Sequence, residues 1–546
     1  MTETQTAHLG ELVEVDQGRF AARRRWSAPA SVARDDRLDD ISGVRVGTFA
    51  FVTHGRERVL CQITEIRRAA GPEDSSTFTR LLPLGEIAGD GRFSRGLSAY
   101  PGLGSPVRVA GVDELDRVFD RLKQRGLDFG RLSQHPEHHV YADPNALFNR
   151  HTAILGQTGS GKSWAVSSLI QRTVAAMPRA HIVLLDLHGE YGWTDKDGAL
   201  SSVFASDSVR HLDSRSLEIP YWLLTYSELV DLLVDRTDPH ATLHISFLRE
   251  VLLTLRRQSN AHLGIDTLSV DSPVYFSLED LYERCEEANR QQFDFGKRNG
   301  PLYGIFDDFL LRFQAMYNDS RYDFLLRPQR RTESRHLEDL MRDFIGLGEP
   351  KRQITVIDLS PVPSDVRPTV TAQVGRLAFE FNYWNPRRRD FPILLVCEEA
   401  HQYIPNSGRE VQRLGSSREM ERIAKEGRKY GVGLCVISQR PTELSETVLS
   451  QCGTFLCMRM TNPEDQSYVR KLMPQGEQGL ADVLATLRRG EALLVGEAVS
   501  LPTRFRIYPP NPPPVRNDVA VAEAWRSGPD DLDVGEIVSR WWEQRR

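Results

Sequence analysis

Gly156-Gln157-Thr158-Gly159-Ser160-Gly161-Lys162-Ser163 fits the pattern G-x-x-x-x-G-K-[ST] without a mismatch. The octapeptide follows the strand-like run 151–155 (HTAIL). It precedes a segment, 162–177, in which Val166, Leu169, Ile170 and Val174 share one helical face. Strand, glycine-rich loop and helix in this order make a phosphate cradle: the glycines let the backbone curl, and its N–H groups join those of the helix N-terminus around an anion. In such a loop Lys162 neutralises β/γ-phosphate charge and Ser163 holds Mg2+, so residues 156–163 are the candidate nucleotide site, with ATP and Mg2+ as the implied ligands.

Working outward, largely apolar runs at 182–187, 354–359, 393–397, 433–438 and 454–458 read as strands buried on both faces, as a parallel sheet requires. Val366, Val370, Val374, Leu377 and Phe381 mark a helix between two of them. The expectation is a doubly wound α/β domain, a RecA-like P-loop fold over 149–508. Its strand signal lapses between about 225 and 350, where 229–233, 243–255, 278–288 and 305–317 look helical and form a helical insertion. Upstream, short β-rich runs at 44–53, 59–66, 78–82 and 107–110, broken by turn residues, suggest a small N-terminal β-barrel over 1–110. A helical connector, 111–148, with a helix near 112–125, joins the two. Proline-rich 509–514 opens a C-terminal arm, 509–546, with a short helix from about Asp518.

Several chemistries sit at strand ends. The strand 393–397 runs into Glu398 and Glu399: Glu398 suits the Mg2+ shell and Glu399 a general base that polarises the attacking water. Without a P-loop upstream the same pair reads equally well as the solvated start of a helix. Gln439, after the strand 433–438, suits γ-phosphate sensing or simply a turn before Pro441. Asp186 and Glu190 in Asp186-Leu187-His188-Gly189-Glu190-Tyr191 suit either support of the nucleotide site or capping of a turn. Arg150 and Arg428 flank catalytic strands and are candidates for stabilising transition-state charge, against the ordinary reading of solvated surface arginines. Arg409, Arg413, Arg418, Arg422, Lys425, Arg428 and Lys429 form a basic face interleaved with Glu410, Glu419, Glu421 and Glu426. That face reads as a salt-bridged helix or as a phosphate-tracking loop.

Composition sets outer limits. The 546 residues carry 69 Lys and Arg against 75 Asp and Glu, a net charge of −6, which argues against coating nucleic acid with the whole surface. Cys61, Cys285, Cys397, Cys435, Cys452 and Cys457 form no CxxC pair and read as reduced core residues. The polar, acidic start MTETQTAHLGELVEVDQ lacks the features of a signal peptide, and no apolar run approaches the roughly 18 residues of a membrane span. A soluble, cytoplasmic protein is the expectation.

The motifs also stand in a telling order. Residues 150–163 (RHTAILGQTGSGKS), 186–191 (DLHGEY), 394–401 (LLVCEEAH), 423–441 (IAKEGRKYGVGLCVISQRP) and 459–465 (RMTNPED) resemble the motif set of HerA-type ATPases in the HerA/FtsK superfamily. The segment 85–107 (GEIAGDGRFSRGLSAYPGLGSPV) resembles the barrel that precedes the motor there, and 501–505 (LPTRF) is similar to the strand leading into its C-terminal brace. The resemblance leaves out the helical insertion and the tail. It implies a homohexameric ring with ATP sites between subunits, double-stranded DNA in the channel, and a nuclease or other effector, NurA-like or sirtuin-like, docked on the barrel face. It assigns Lys162, Glu399 and Gln439 to catalysis, with Arg150 and Arg428 serving the site. Glu398 stands where the family more often has Asp, and its longer side chain still suits a water-mediated Mg2+ contact. A DNA translocase or helicase motor in end processing or antiphage defence is the leading expectation. A hexameric scaffold that activates a defence effector without extensive translocation is the alternative, and the lack of a membrane anchor weakens a conjugative or partition pump.

Overall fold

Alternation builds the first architecture. In β1 (His8–Asp16), β2 (Arg19–Arg25), β3 (Phe49–His54), β4 (Glu57–Arg68), β5 (Ser76–Ile87), β6 (Phe93–Arg95) and β7 (Pro106–Val109), side chains leave the strand on alternate faces, with register shifts interrupting the alternation in β1 and β4. Ala50 and Val52 of β3 and Val59, Cys61 and Ile63 of β4 meet Leu9, Leu12, Phe20, Ala22, Leu81 and Val107 in one core. The strand order β2-β1-β7-β3-β4-β5, with β5 pairing back onto β2, closes a six-stranded barrel, and β6 is appended to β5. Closure removes the free edges that an open sheet of this size would expose. The computed structural model describes residues 8–542 apart from 17, 26–43, 56, 69–75, 90–91, 195–199, 214–215, 217, 295–296, 363, 365, 407–414, 474, 515–520 and 530. Arg409, Arg413 and Glu410 of the basic segment therefore lie outside the described residues.

The segment expected to be a helical connector is mixed. Its helix Val112–Phe119 is shorter than the pattern at 112–125 suggests, ending in a 3-10 turn Asp120–Leu122. Two strands follow, β8 (Leu127–Leu132) and β9 (His139–Ala142), and then the helix Pro144–Asn149. The two pair with each other, and β8 takes its second neighbour from far along the chain, at residues 505–507.

Onward from there the chain runs through β10 (Thr152–Leu155), the helix Lys162–Ala176 and β11 (Ile182–Asp186). A hairpin of β12 (Gly192–Thr194) and β13 (Leu200–Ser202) and the strand β14 (Val209–Leu212) come next. The insertion holds the helices Tyr226–Leu233, Ala241–Ser259, Leu278–Arg290, Asp307–Tyr317 and His336–Phe344, and a small hairpin of β15 (Gln292–Phe293) and β16 (Arg298–Asn299). Then come β17 (Ile354–Asp358), the helix Arg367–Trp384, β18 (Ile393–Cys397), the helix Gly415–Tyr430, β19 (Val432–Ser438), β20 (Thr454–Cys457), β21 (Glu491–Gly496) and β22 (Thr503–Ile507). The C-terminal arm carries the helices Val521–Ser527 and Val534–Trp542.

Two compact units result, and two of their boundaries fall inside the 149–508 segment. One comprises Met1–Ala176 and Cys435–Asn511. Beyond the barrel it contains β10 flanked in parallel by β19 and β20, continued antiparallel through β21, β22, β8 and β9. The other comprises Met177–Leu434 and Pro512–Arg546, with parallel strands in the order β14-β17-β11-β18 and the helical insertion. None of the six cysteines forms a disulfide, and all are buried. Burial pushes the thiols of Cys61, Cys435, Cys452 and Cys457 up, as suits inert core residues.

One polar cluster ties the helix Val112–Phe119 to the barrel. Glu114 accepts two hydrogen bonds from Arg108, at 2.7 and 2.6 Å, one from the Gly111 N–H at 3.1 Å, and one from Arg58. Burial pushes its carboxyl up, but the Arg108 and Gly111 hydrogen bonds and the Arg108 and Arg58 charges outweigh it and hold the group below the ordinary value. A depressed carboxylate stabilises the fold above the ordinary carboxylate range and loses that contribution as pH falls through its folded value. Glu114→Gln is expected to cost about 1–2 kcal/mol at pH 7. In urea denaturation the difference from wild type should shrink steadily below pH 4.5, toward the acid limit.

Candidate functional site

In the first unit the loop 156–163 leaves the C-terminal end of β10, held on both sides. The Gly156 N–H donates to Ser438 O at 3.2 Å, and the Gln157 N–H donates to Arg459 O at 3.0 Å. The Gln157 side chain fixes the next turn as well: its Oε1 accepts from the Thr461 N–H at 2.9 Å and from Thr461 Oγ1 at 2.7 Å. Asn462 then caps the helix Pro463–Leu472 through the Glu464 N–H. Sequence reading quoted the 459–465 motif only for its resemblance; its task here is to strap the loop.

Space inside the loop is tight. A Cβ on Gly156 would lie 2.8 Å from Met458 Cβ and 2.8 Å from Ser160 Oγ, so only glycine lets the backbone pass. Gly161 has φ +104°, a conformation L side chains rarely adopt. Lys162 is buried, and its Nζ donates to Gln157 O at 3.3 Å, laying the ammonium across the loop. Ser160 Oγ is buried without a hydrogen-bond partner among the described residues. The first turn of the helix Lys162–Ala176 presents N–H groups outside its own ladder. A polyphosphate fits this donor set: cation, curled backbone and helix N-terminus converge on one small cradle. Gln439, at the end of β19, accepts a hydrogen bond from Thr158 Oγ1, so the glutamine singled out in the sequence stands on the rim of the loop.

In the second unit the carboxylates gather at the C-terminal ends of β11, β17 and β18. Asp186 is almost fully buried and accepts four backbone hydrogen bonds: His188 N–H at 3.3 Å, Gly189 N–H at 2.8 Å and Glu190 N–H at 3.1 Å on Oδ1, and Tyr191 N–H at 3.0 Å on Oδ2. Burial pushes it up to about 6, against those donors and with help from the charge of Asp358. Of the two readings the sequence left open for Asp186, the turn cap is what its contacts within the unit display. Glu398 follows β18 and is buried too. Its Oε1 accepts from Tyr191 OH at 3.0 Å, while its Oε2 has no hydrogen-bond partner among the described residues. Burial, then the charges of Asp186, Glu190 and Glu399, push it well above the ordinary range. Such an oxygen suits a hard cation, so Mg2+ fits the donor set. No group of three or more His, Cys, Asp or Glu among the described residues forms a metal cage.

Glu399 is the N-cap residue of a short 3-10 turn and starts no α-helix. Its φ is +43°, a left-handed conformation that costs a non-glycine residue roughly 1–2 kcal/mol, and a 3-10 turn, Ala400–Gln402, follows. Its side chain is nearly buried, with Oε2 3.4 Å from His401 Nδ1. Strained backbone held against its preference is characteristic of working sites.

The two arginines stand at the other ends of their strands. Arg150 precedes β10, separated from the loop by His151 and by the strand, which itself spans roughly 13 Å, and pairs with Glu497. Arg428, in the last turn of the helix Gly415–Tyr430, is exposed and has no ion pair among the described residues. Just beyond it, Gly431 O accepts from the Ile393 N–H at the start of β18, whereas Glu398 follows that strand's end. On the same helix Arg422 pairs with Glu380 at 2.9 Å and Lys425 with Glu421 at 3.5 Å, as a salt-bridged helix would have them. Arg418 and Lys429 are exposed.

The family model described as the central domain of helicase HerA matches residues 127–377. That span contains the helical insertion, which the sequence resemblance had left unmatched. The DNA double-strand break repair helicase HerA of Sulfolobus acidocaldarius is 28% identical over 457 residues, 83% of this chain and 82% of its own. The protein of the same name from Pyrococcus furiosus is 29% identical over 424 residues, 70% of this chain and 69% of its own. Among solved structures, VirB4 of Thermoanaerobacter pseudethanolicus aligns over 70% of this chain and 96% of its own, with a TM-score of 0.44 and 17% identity. No helix among the described residues is long and apolar enough to cross a membrane.

The Asp186 environment has a measurable signature. Its carboxyl rises from 3.8 to about 6 on folding, so the folded chain keeps this proton to higher pH than the unfolded one. The group therefore supports the fold less and less as pH rises across that window, and contributes no further change above it. Asp186→Asn should remove a slope of up to about 1.4 kcal/mol per pH unit there. Urea denaturation of the ligand-free chain at pH 4.5, 5.5 and 6.5 reads it directly.

Proposed function

We propose, from the premise that this chain is a HerA-type ATPase, that it is a DNA translocase or helicase motor driven by ATP hydrolysis. The observation that carries the proposal is the strapped glycine loop 156–163, with Lys162 laid across it and Gln439 on its rim. Mg2+ would be held by Ser163, by ATP phosphate oxygens and by Glu398 Oε2. There it would supply charge neutralisation as the terminal phosphoryl group departs. In hydrolysis the water oxygen bonds to the γ-phosphorus, the bond from that phosphorus to the bridging oxygen breaks, and ADP and phosphate leave. Glu399 takes the proton from the water as general base. Gln439 orients the water or senses the γ-phosphate, and Lys162 stabilises charge on the phosphoryl oxygens.

Arg150 and Arg428 precede strands whose far ends carry the catalytic groups, which supports service to the ATP of a neighbouring copy rather than to their own. A homohexameric ring with duplex DNA in its channel accommodates that division. The relatives' printed names, as break-repair helicases, support a place in DNA end processing with a nuclease partner, and antiphage defence with another effector is the second setting for the same motor. Binding to DNA would be backbone-directed and therefore steeply salt-dependent.

Hydrolysis by the purified chain should rise severalfold on adding linear duplex DNA at low salt. Glu399→Gln should lower it by about 10²-fold or more while leaving nucleotide binding intact. Hydrolysis that ignores DNA across a salt series would replace the motor with an ATP-dependent scaffold that assembles an effector. Trans service by the arginines has its own test. Glu399→Gln and Arg428→Ala are each expected to be inactive alone. Mixed before assembly, they should recover measurable turnover, because some interfaces then pair an intact base with an intact arginine. No recovery at any mixing ratio would place Arg428 outside the site.

A further inference from the structure

Glu398 is gripped at two points by two buried tyrosines. Tyr403 OH donates to the Glu398 backbone carbonyl at 2.9 Å, and Tyr191 OH donates to its carboxylate Oε1 at 3.0 Å. Tyr191 is itself fixed at every polar atom. Its N–H donates to Asp186 Oδ2 at 3.0 Å, and its carbonyl accepts from the Val203 N–H at 3.2 Å and from Ser202 Oγ at 2.8 Å. Its ring stacks on Phe204, with centroids 6.0 Å apart and planes 3° from parallel. No solvent reaches the Tyr191 side chain or the core beside it. A phenol held this firmly gives the glutamate side chain one preferred rotamer, and it occupies one carboxylate oxygen while the other has no hydrogen-bond partner among the described residues.

We infer that Tyr191 is a positioning residue for the Mg2+–nucleotide complex, holding one oxygen of Glu398 so that the other is presented, oriented in advance, to the cation's shell. The inference rests on the reading of Glu398 given above. Glutamate has one more rotatable bond than the aspartate usual at this position, so an extra restraint on its carboxylate offsets the extra freedom. The Asp186 cap contributes indirectly, by fixing the main chain from which Tyr191 projects.

The test uses the full-length chain and a fluorescent ATP analogue, with binding measured in EDTA and then across a MgCl2 series. Wild type should bind more tightly as Mg2+ rises. Tyr191→Phe keeps the ring and its stacking and removes only the hydroxyl. It should match wild type in EDTA and need about five- to tenfold more Mg2+ for half of the gain, within the range expected for one ordinary intramolecular hydrogen bond. Glu398→Gln should lose most of the Mg2+-dependent gain. A Tyr191→Phe curve superimposable on wild type, with Glu398→Gln still impaired, would overturn the inference and leave the Glu398 reading standing. A variant weakened equally in EDTA, with a lowered melting temperature, would also overturn it by making Tyr191 a structural support only. Wild-type binding indifferent to Mg2+ would remove the Glu398 reading itself, and this inference with it.

Discussion

A parallel strand covered on both faces has only its two ends to offer to chemistry. β10, β11 and β18 are buried along their whole length, so every polar function in these parts of the fold is pushed to a strand terminus. The polarity of the strands then sorts those functions. In the first unit the cradle and Gln439 lie at carboxyl ends and Arg150 at an amino end. In the second unit Asp186 and Glu398 lie at carboxyl ends, while Arg428 belongs with the amino end of β18. Separation of acid and base from arginine follows from strand direction alone, before any assembly is considered.

The carboxyl ends then face an electrostatic difficulty, since carboxylates without solvent are costly unless compensated. The chain meets it in two ways. Asp186 is surrounded by four backbone donors and has become part of the architecture. Glu398 is given a single phenol and keeps one acceptor in reserve. The two acids thus have opposite characters: one is satisfied from within the unit, the other has capacity left for a ligand.

Much of this was legible because it is local. The octapeptide 156–163, the apolar strands and the acidic pair after 393–397 are contiguous patterns whose spacing declares them. The insertion helices were visible from their periodicity for the same reason. What stayed hidden depends on partners distant in the chain. Strands β1 and β2, with their Glu and Arg alternation, are strands because β7 and β5 close the barrel on them. β8 pairs locally with β9 but takes its other neighbour from residues 505–507. The Gln157–Thr461 strap and the Tyr191–Glu398 contact join residues 304 and 207 positions apart, and nothing in either neighbourhood announces the other. The left-handed backbone at Glu399 was unreadable too, since glutamate is among the residues that least suggest it.

The first unit is discontinuous, and this orders events during synthesis. All strands of the barrel lie before residue 110, so its hydrogen bonds can be completed as soon as that stretch has left the ribosome. β10 is made soon afterwards, but its two neighbours, β19 and β20, follow only after the 258 residues Met177–Leu434 have been added. At roughly 5–20 residues per second that interval lasts on the order of tens of seconds. Throughout it, a short and largely apolar strand waits with both edges bare. The nascent chain therefore carries a finished barrel beside an unfinished motor, and the phosphate cradle, named by the most recognisable eight residues in the sequence, is among the last parts of the protein to take shape.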